Sequence, residues 1–118
     1  MEKDSVKITI ETSPSIPNLR IITIEGTLDT VTSKQVDEKV LPIIEQGKTN
    51  FILNLSNLVY LSSVGILRLI KYLISITDQE RLLKLVKPPE YIYGTFVAAG
   101  IASRFEMYDS LEAATGSF

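Results

Sequence analysis

Residues 51–70 read FILNLSNLVYLSSVGILRLI. With Asn50 in front, the opening run NFILNL (50–55) is short and apolar, the pattern of a buried strand. From Ser63 to residue 77 the pattern changes. Ile66, Leu67, Leu69, Ile70, Leu73, Ile74 and Ile76 cover most of a helical circumference, and Arg68, Lys71, Tyr72 and Ser75 form a polar stripe. Val64 lies on that stripe, one turn before Arg68. A buried strand feeding a nearly buried helix is a unit of a sheet covered by helices.

The flanks repeat this alternation. Residues 6–12 place Val6, Ile8 and Ile10 on one face of a strand, the prolines and turn formers of residues 13–18 make a loop, and residues 19–25 return as a second strand. GTLD (26–29) reads as a connection. Val36, Val40, Ile43 and Ile44 mark one face of a helix over residues 32–46, with Gly47 as its stop. Pro42 inside it removes a bond to Glu38 and predicts a kink or an early end. Residues 82–86 form a strand. Pro88 and Pro89 then introduce a helix over residues 90–99, stopped by Gly100. Residues 105–108 form a last strand, and Asp109 with Glu112 predicts a capped final helix. The opening hairpin makes the sheet mixed rather than purely parallel.

The chain has 118 residues, enough for one domain and not two. Its apolar fraction of 45% and charged fraction of 22% are those of a globular protein. With 12 basic and 14 acidic residues it has no basic field to attract nucleic acid. Cysteine and histidine are absent, which excludes disulfides, Ser-His and Cys-His nucleophile pairs and the usual zinc sites. Neither a G-x-G-x-x-G nor a G-x-x-x-x-G-K-[ST] motif is present, and Ser63 lacks the G-x-S-x-G elbow. Enzymatic and nucleotide-binding roles therefore have no motif behind them, and no metal or cofactor is expected. The start MEKDSVKITIE has no apolar core of a signal peptide, and no apolar run approaches the ~20 residues of a membrane span. The expectation is a cytoplasmic protein without membrane insertion.

Chemical interest falls on the serine pair. Ser62 suits the N-cap, its hydroxyl accepting from a free amide of the first turn. Ser63 is then the first helical residue and Gly65 the third. One serine suffices for the cap, which leaves the second to be explained. A helix N-terminus carries free amides and partial positive charge, a favourable place for a phosphate. Gly65 admits either close helix–sheet packing or close approach by a partner. Val64, Ser63 and Arg68 could be presented together at the exposed end of the helix. Asp29 is either a turn or cap residue or a weak cation ligand.

Three stretches together resemble the STAS domain of bacterial anti-sigma factor antagonists. EGTLDTVTSKQVDEKVLPIIEQG resembles that family's G-x-L-D segment and first long helix. FILNLSNLVYLSSVGILRLI resembles its central strand, loop and second helix. LVKPPEYIYGTFVAAGIASRFEMYDSLEAA resembles its C-terminal third, with Gly100-Ile101 after the helix. The resemblance spans nearly the whole chain. It implies one α/β domain over residues 1–118, with a mixed sheet of about four to five strands and helices packed mainly on one face.

It also implies a regulatory role by partner switching. The unmodified protein binds an anti-sigma factor that is also a serine kinase, and phosphorylation of one serine dissolves the complex. Aligned on Gly65, the phosphoacceptor is Ser63, Ser62 takes the place of an aspartate, and Asp29 matches the family's aspartate near that serine. Asn54 stands where many relatives have an aspartate. Asp29, Ser62, Ser63, Val64, Gly65 and Arg68 are thus the expected partner-binding residues, on a chain that is monomeric when free. The alternative is an unphosphorylated STAS subunit of an ABC-type lipid transport system or of a larger stress-signalling assembly.

Overall fold

In the computed structural model, which describes residues 5–118, the alternating Val6, Ile8 and Ile10 form β1 (Val6–Thr12). The chain reverses through residues 13–18 into β2 (Leu19–Leu28). The two strands pair antiparallel from Val6 opposite Gly26 to Thr12 opposite Arg20. There follow α1 (Thr32–Glu45), β3 (Asn50–Asn54), β4 (Leu58–Leu61), α2 (Ser63–Asp78), β5 (Leu83–Val86), α3 (Glu90–Ala98), a 3-10 turn (Ala102–Arg104), β6 (Glu106–Tyr108) and α4 (Leu111–Gly116). Strand order is β1-β2-β3-β5-β6, with β4 beside β2. All pairs except β1–β2 are parallel.

This is the mixed α/β sheet expected, with six strands. The additional one is β4, LVYL, which the linear pattern hides. Its two middle residues, Val59 and Tyr60, are exposed while Leu58 and Leu61 are buried, so it shows no period of two. Its place is made by Gly26. There β2 leaves β3 and takes up β4, skipping Val59 as the register passes from Gly26–Leu58 to Thr27–Tyr60. Gly26 has φ +97°, and a Cβ would stand 2.5 Å from the carbonyl oxygen of Ser5. Only glycine fits. Residues 26–28, expected in a connection, therefore extend β2.

Successive side chains alternate between the faces of the sheet. Ile22, Ile24, Phe51, Leu53 and Leu85 point to the face covered by Val36 and Val40 of α1, Leu69 and Ile76 of α2, and Phe96 of α3. Each such fully buried side chain contributes about 1.5–3 kcal/mol. Leu19, Ile21, Ile52 and Val86 point the other way, onto Ala114 of α4. Most helical cover is thus on one face.

Three local expectations change. α1 runs through Pro42 without ending, because the proline is exposed and near the last turn. The cap of α4 is Ser110, whose hydroxyl accepts from Ala113 N at 3.1 Å, and not Asp109. Tyr72 is not on a polar stripe: it is 1% exposed and its hydroxyl donates to Asp37 of α1. The exposed positions of α2 include instead Leu67 and Ile74.

Candidate functional site

The site begins at the C-terminal end of β2. The Leu28 carbonyl accepts from Ser62 N at 3.0 Å, so the strand end and the start of α2 are joined directly. Asp29 follows one partner of this bond and Ser63 follows the other. The starts of α1 and α2 therefore leave the same corner of the sheet.

Ser62 has extended backbone (φ −87°, ψ 171°), and its hydroxyl accepts from Gly65 N at 3.1 Å. Its carbonyl accepts the first helical bond, from Ile66 N at 3.0 Å. This is N-cap geometry. Ser63 is exposed and takes no part in the cap. Its hydroxyl stands at the positive end of a 16-residue helix.

Gly65 is buried. A Cβ there would meet the Leu28 carbonyl oxygen at 2.6 Å and Leu61 Cδ1 at 2.8 Å. The close approach that this glycine allows is to β2 and β4, beneath the surface that carries Ser63. Val64 is half-buried beside it.

Asp29 is half-buried and organises the start of α1. Its Oδ1 accepts from Val31 N at 2.9 Å and Thr32 N at 3.0 Å, while Thr32 Oγ1 accepts from Asp29 N at 2.9 Å. These reciprocal bonds lock the turn that leads into α1, in the manner of a capping box. The carboxylate is thereby held at the corner where Ser63 emerges.

Arg68 is elsewhere. Five residues on from Ser63, it lies about 140° around the helix. Its Nε is 3.4 Å from Asp37 Oδ2, in the seam between α1 and α2. Tyr72 donates to the same carboxylate, and burial together with Asp37 pushes its hydroxyl far above the usual tyrosine range. Arg68 thus braces the helices with its side chain one-third exposed.

The residue that does share Ser63's face is Leu67, four positions on and 64% exposed. Val31 (58%), two residues after Asp29, and Tyr60 (54%), two before Ser62, are also exposed. Tyr91 of α3 donates to the Val59 carbonyl at 3.1 Å and fixes the outer side of β4. Sequence reasoning missed this apolar rim, since a leucine on an apolar helix reads as core.

Asn54, at the end of β3, accepts from Ser56 N at 3.1 Å and Ser56 Oγ at 2.8 Å, closing the turn into β4. Among the described residues no cluster of acidic side chains is placed to hold a metal ion. None of the described helices is long and apolar enough to cross a membrane.

Residues 7–114 match the family model of the STAS domain. The chain belongs to the STAS domain family. No curated protein matches this STAS domain in sequence. Among solved structures it is similar to an anti-sigma factor antagonist from Mycobacterium paratuberculosis, at 17% identity and TM-score 0.82, over 98% of this chain and 96% of that one. It is similar to the anti-sigma factor antagonist SpoIIAA in its unphosphorylated form, at 19% identity and TM-score 0.74, over 92% of this chain and 93% of that one. It is similar also to the Bacillus cell fate determinant SpoIIAA in its phosphorylated form, at 18% identity and TM-score 0.72, over 95% of this chain and 100% of that one. At these identities the likeness is one of fold. The STAS domain here has the architecture of anti-sigma factor antagonists.

Proposed function

We propose that this STAS domain is a regulatory binding module and not an enzyme: a cytoplasmic anti-sigma factor antagonist. It binds an anti-sigma factor that is also a serine kinase, and phosphorylation of Ser63 releases it. The observation that carries this reading is the division of labour between the serines. Ser62 is committed to the cap, and Ser63 is exposed at the same helix start.

The physics of the switch follows from that position. Phosphorylation adds about −1.5 to −2 charges at pH 7 and three acceptor oxygens. The free amides and partial positive charge of the helix start tolerate this charge, so the fold survives. A docked partner must desolvate it beside Asp29 and across the apolar rim. A loss of about 3–4 kcal/mol weakens binding a few hundred-fold. The similarity to SpoIIAA in both phosphorylated and unphosphorylated forms supports a fold that accommodates the modification.

The test is incubation with the cognate anti-sigma factor kinase and ATP-Mg, with mass-spectrometric mapping of the product. Modification of Ser63 and loss of the complex are expected. Complex formation without modification, or modification only at another residue, rejects the switch.

A second reading rests on Asn54 and Ser62. Both are neutral and both are used in local turns and caps, leaving fewer carboxylates around Ser63. It makes the chain an unphosphorylated STAS subunit of an ABC-type lipid transport system or of a larger stress-signalling assembly. Affinity capture from the native cell separates the two: recovery of a transport ATPase without an anti-sigma factor favours the second.

A further inference from the structure

Among the described residues β1 is an edge strand, paired with β2 on one side. The direction of its main-chain groups follows from the bonds that flank it. Thr27 N donates to the Ser5 carbonyl at 2.9 Å, and Ser13 N donates to the Leu19 carbonyl at 2.8 Å. Main-chain groups alternate in direction along an antiparallel strand. Lys7, Thr9 and Glu11 therefore bond inward to β2. Val6, Ile8, Ile10 and Thr12 turn their N–H and C=O groups to the open edge.

Long regular edges template further pairing, and proteins usually blunt them with proline, bulges or charged side chains. β1 has neither proline nor bulge, and carries only two exposed charges. Its seven residues, VKITIET, are rich in β-branched types, and its ladder with β2 is unbroken. Its exposed charges are one of each sign, Lys7 and Glu11, spaced symmetrically about Thr9. Among the described residues neither forms an ion pair.

We propose that two copies of this chain join edge to edge, in a two-fold antiparallel β1–β1 ladder centred on Thr9. In this register the outward groups of Ile8 meet those of the partner's Ile10, and those of Val6 meet those of the partner's Thr12. Lys7 lies opposite the partner's Glu11, and Glu11 opposite the partner's Lys7. These charged pairs occupy the non-hydrogen-bonded positions, where cross-strand side chains are closest.

The alternatives are poorer. Sliding the strands by two residues, the smallest step that keeps the outward groups facing, sets Thr9 opposite Lys7 or Glu11 and shortens the ladder. A parallel pair in register sets like charges side by side. The apolar side agrees with the centred register: Val6, Ile8 and Ile10 are only partly buried at the margin of the core, and the partner's copies extend their cover.

The other described strands paired on one side only, β4 and β6, have four and three residues, so the two-fold pair uses the one long edge and closes at two copies. Because the ladder is antiparallel, the two Ser63 corners lie toward opposite ends of the joined sheet.

Sedimentation equilibrium of the full chain, from about 10 µM to about 1 mM, is expected to show a monomer–dimer equilibrium. Lys7→Glu and Glu11→Lys are each expected to weaken the dimer about tenfold or more, since each turns two attractive pairs repulsive. The Lys7→Glu/Glu11→Lys double variant is expected to restore it. Lys7→Glu makes the chain more acidic and Glu11→Lys less so, which separates register from net charge. Both side chains are exposed, and circular dichroism checks that the variants fold. A chain monomeric at the highest concentration, a dimer indifferent to the single reversals, or a double variant that stays weak would overturn the proposal.

Discussion

The amide of Ser62 donates to the carbonyl of Leu28 at 3.0 Å, and this one bond ties the start of α2 to the end of β2. Gly65 is what lets the helix sit so low, its Cα hydrogens lying against the same carbonyl. Asp29 and Ser63 are the next residues on either side of the bond. The candidate site is therefore a property of a backbone junction, which side chains then decorate.

The junction separates the two serines energetically. Ser62→Ala is expected to cost about 0.5–2 kcal/mol of stability, as the loss of an N-cap. Ser63→Ala is expected to stay within about 0.5 kcal/mol of the parent, as an exposed substitution outside any cap. Urea unfolding of both variants measures this. Equal costs, or a larger cost at Ser63, would place the cap on the wrong residue.

Gly65→Ala tests the close approach. Alanine is the better helix former by about 1 kcal/mol on an open helix face. Here the added methyl meets a backbone oxygen at 2.6 Å, and relief requires α2 to rise from the sheet. A net destabilisation of about 1–3 kcal/mol is expected, the range for overpacking a core. A more stable variant in chemical denaturation would show that the helix start yields freely.

Tyr72 links stability to alkaline pH. Its folded-state value is raised above the ordinary 10.0, by burial first and by Asp37 second. The folded state thus holds a proton that the unfolded state releases above about pH 10, so stability falls as pH rises through that value. Tyr72→Phe removes this contribution. It is expected to cost about 1.5–3 kcal/mol at neutral pH through the lost bond to the Asp37 carboxylate. It should also flatten the decline above about pH 10. Thermal melts of parent and variant at several pH values report the difference, and parallel curves would count against the assignment.

Lys84 holds the opposite face. Its buried ammonium donates to Ser117 O at 3.0 Å and Ser117 Oγ at 2.8 Å, pairs with Glu106 at 3.1 Å, and lies 4.4 Å from the centre of the Phe118 ring. Glu106 is held below the usual carboxylate range by its bond from Tyr108 and then by Lys84. Lys84→Met keeps the stem and removes the clasp. Hydrogen exchange should then accelerate in α4 and at residues 117–118, with α1 and α2 unchanged. Exchange that rises evenly across the chain would indicate a global rather than a local role.

Near-neighbour chemistry was legible without coordinates. The alternation of Val6, Ile8 and Ile10, the Ser62 cap, and the stops at Gly47 and Gly100, with φ +65° and +72°, are each decided within one turn or strand. Such features depend on the chain's own backbone geometry, so the linear order of residues suffices. What the fold alone decided concerns contacts between distant segments. The added strand β4 exists because Gly26 frees β2 to change partners. Tyr72 is interior and its hydroxyl meets Asp37 because α1 packs beside α2, and Leu67 is exterior because none of the described residues covers it. A helix that is apolar nearly all round carries no record of which side meets the sheet; only packing, by removing some of those side chains from water and leaving others, makes that choice.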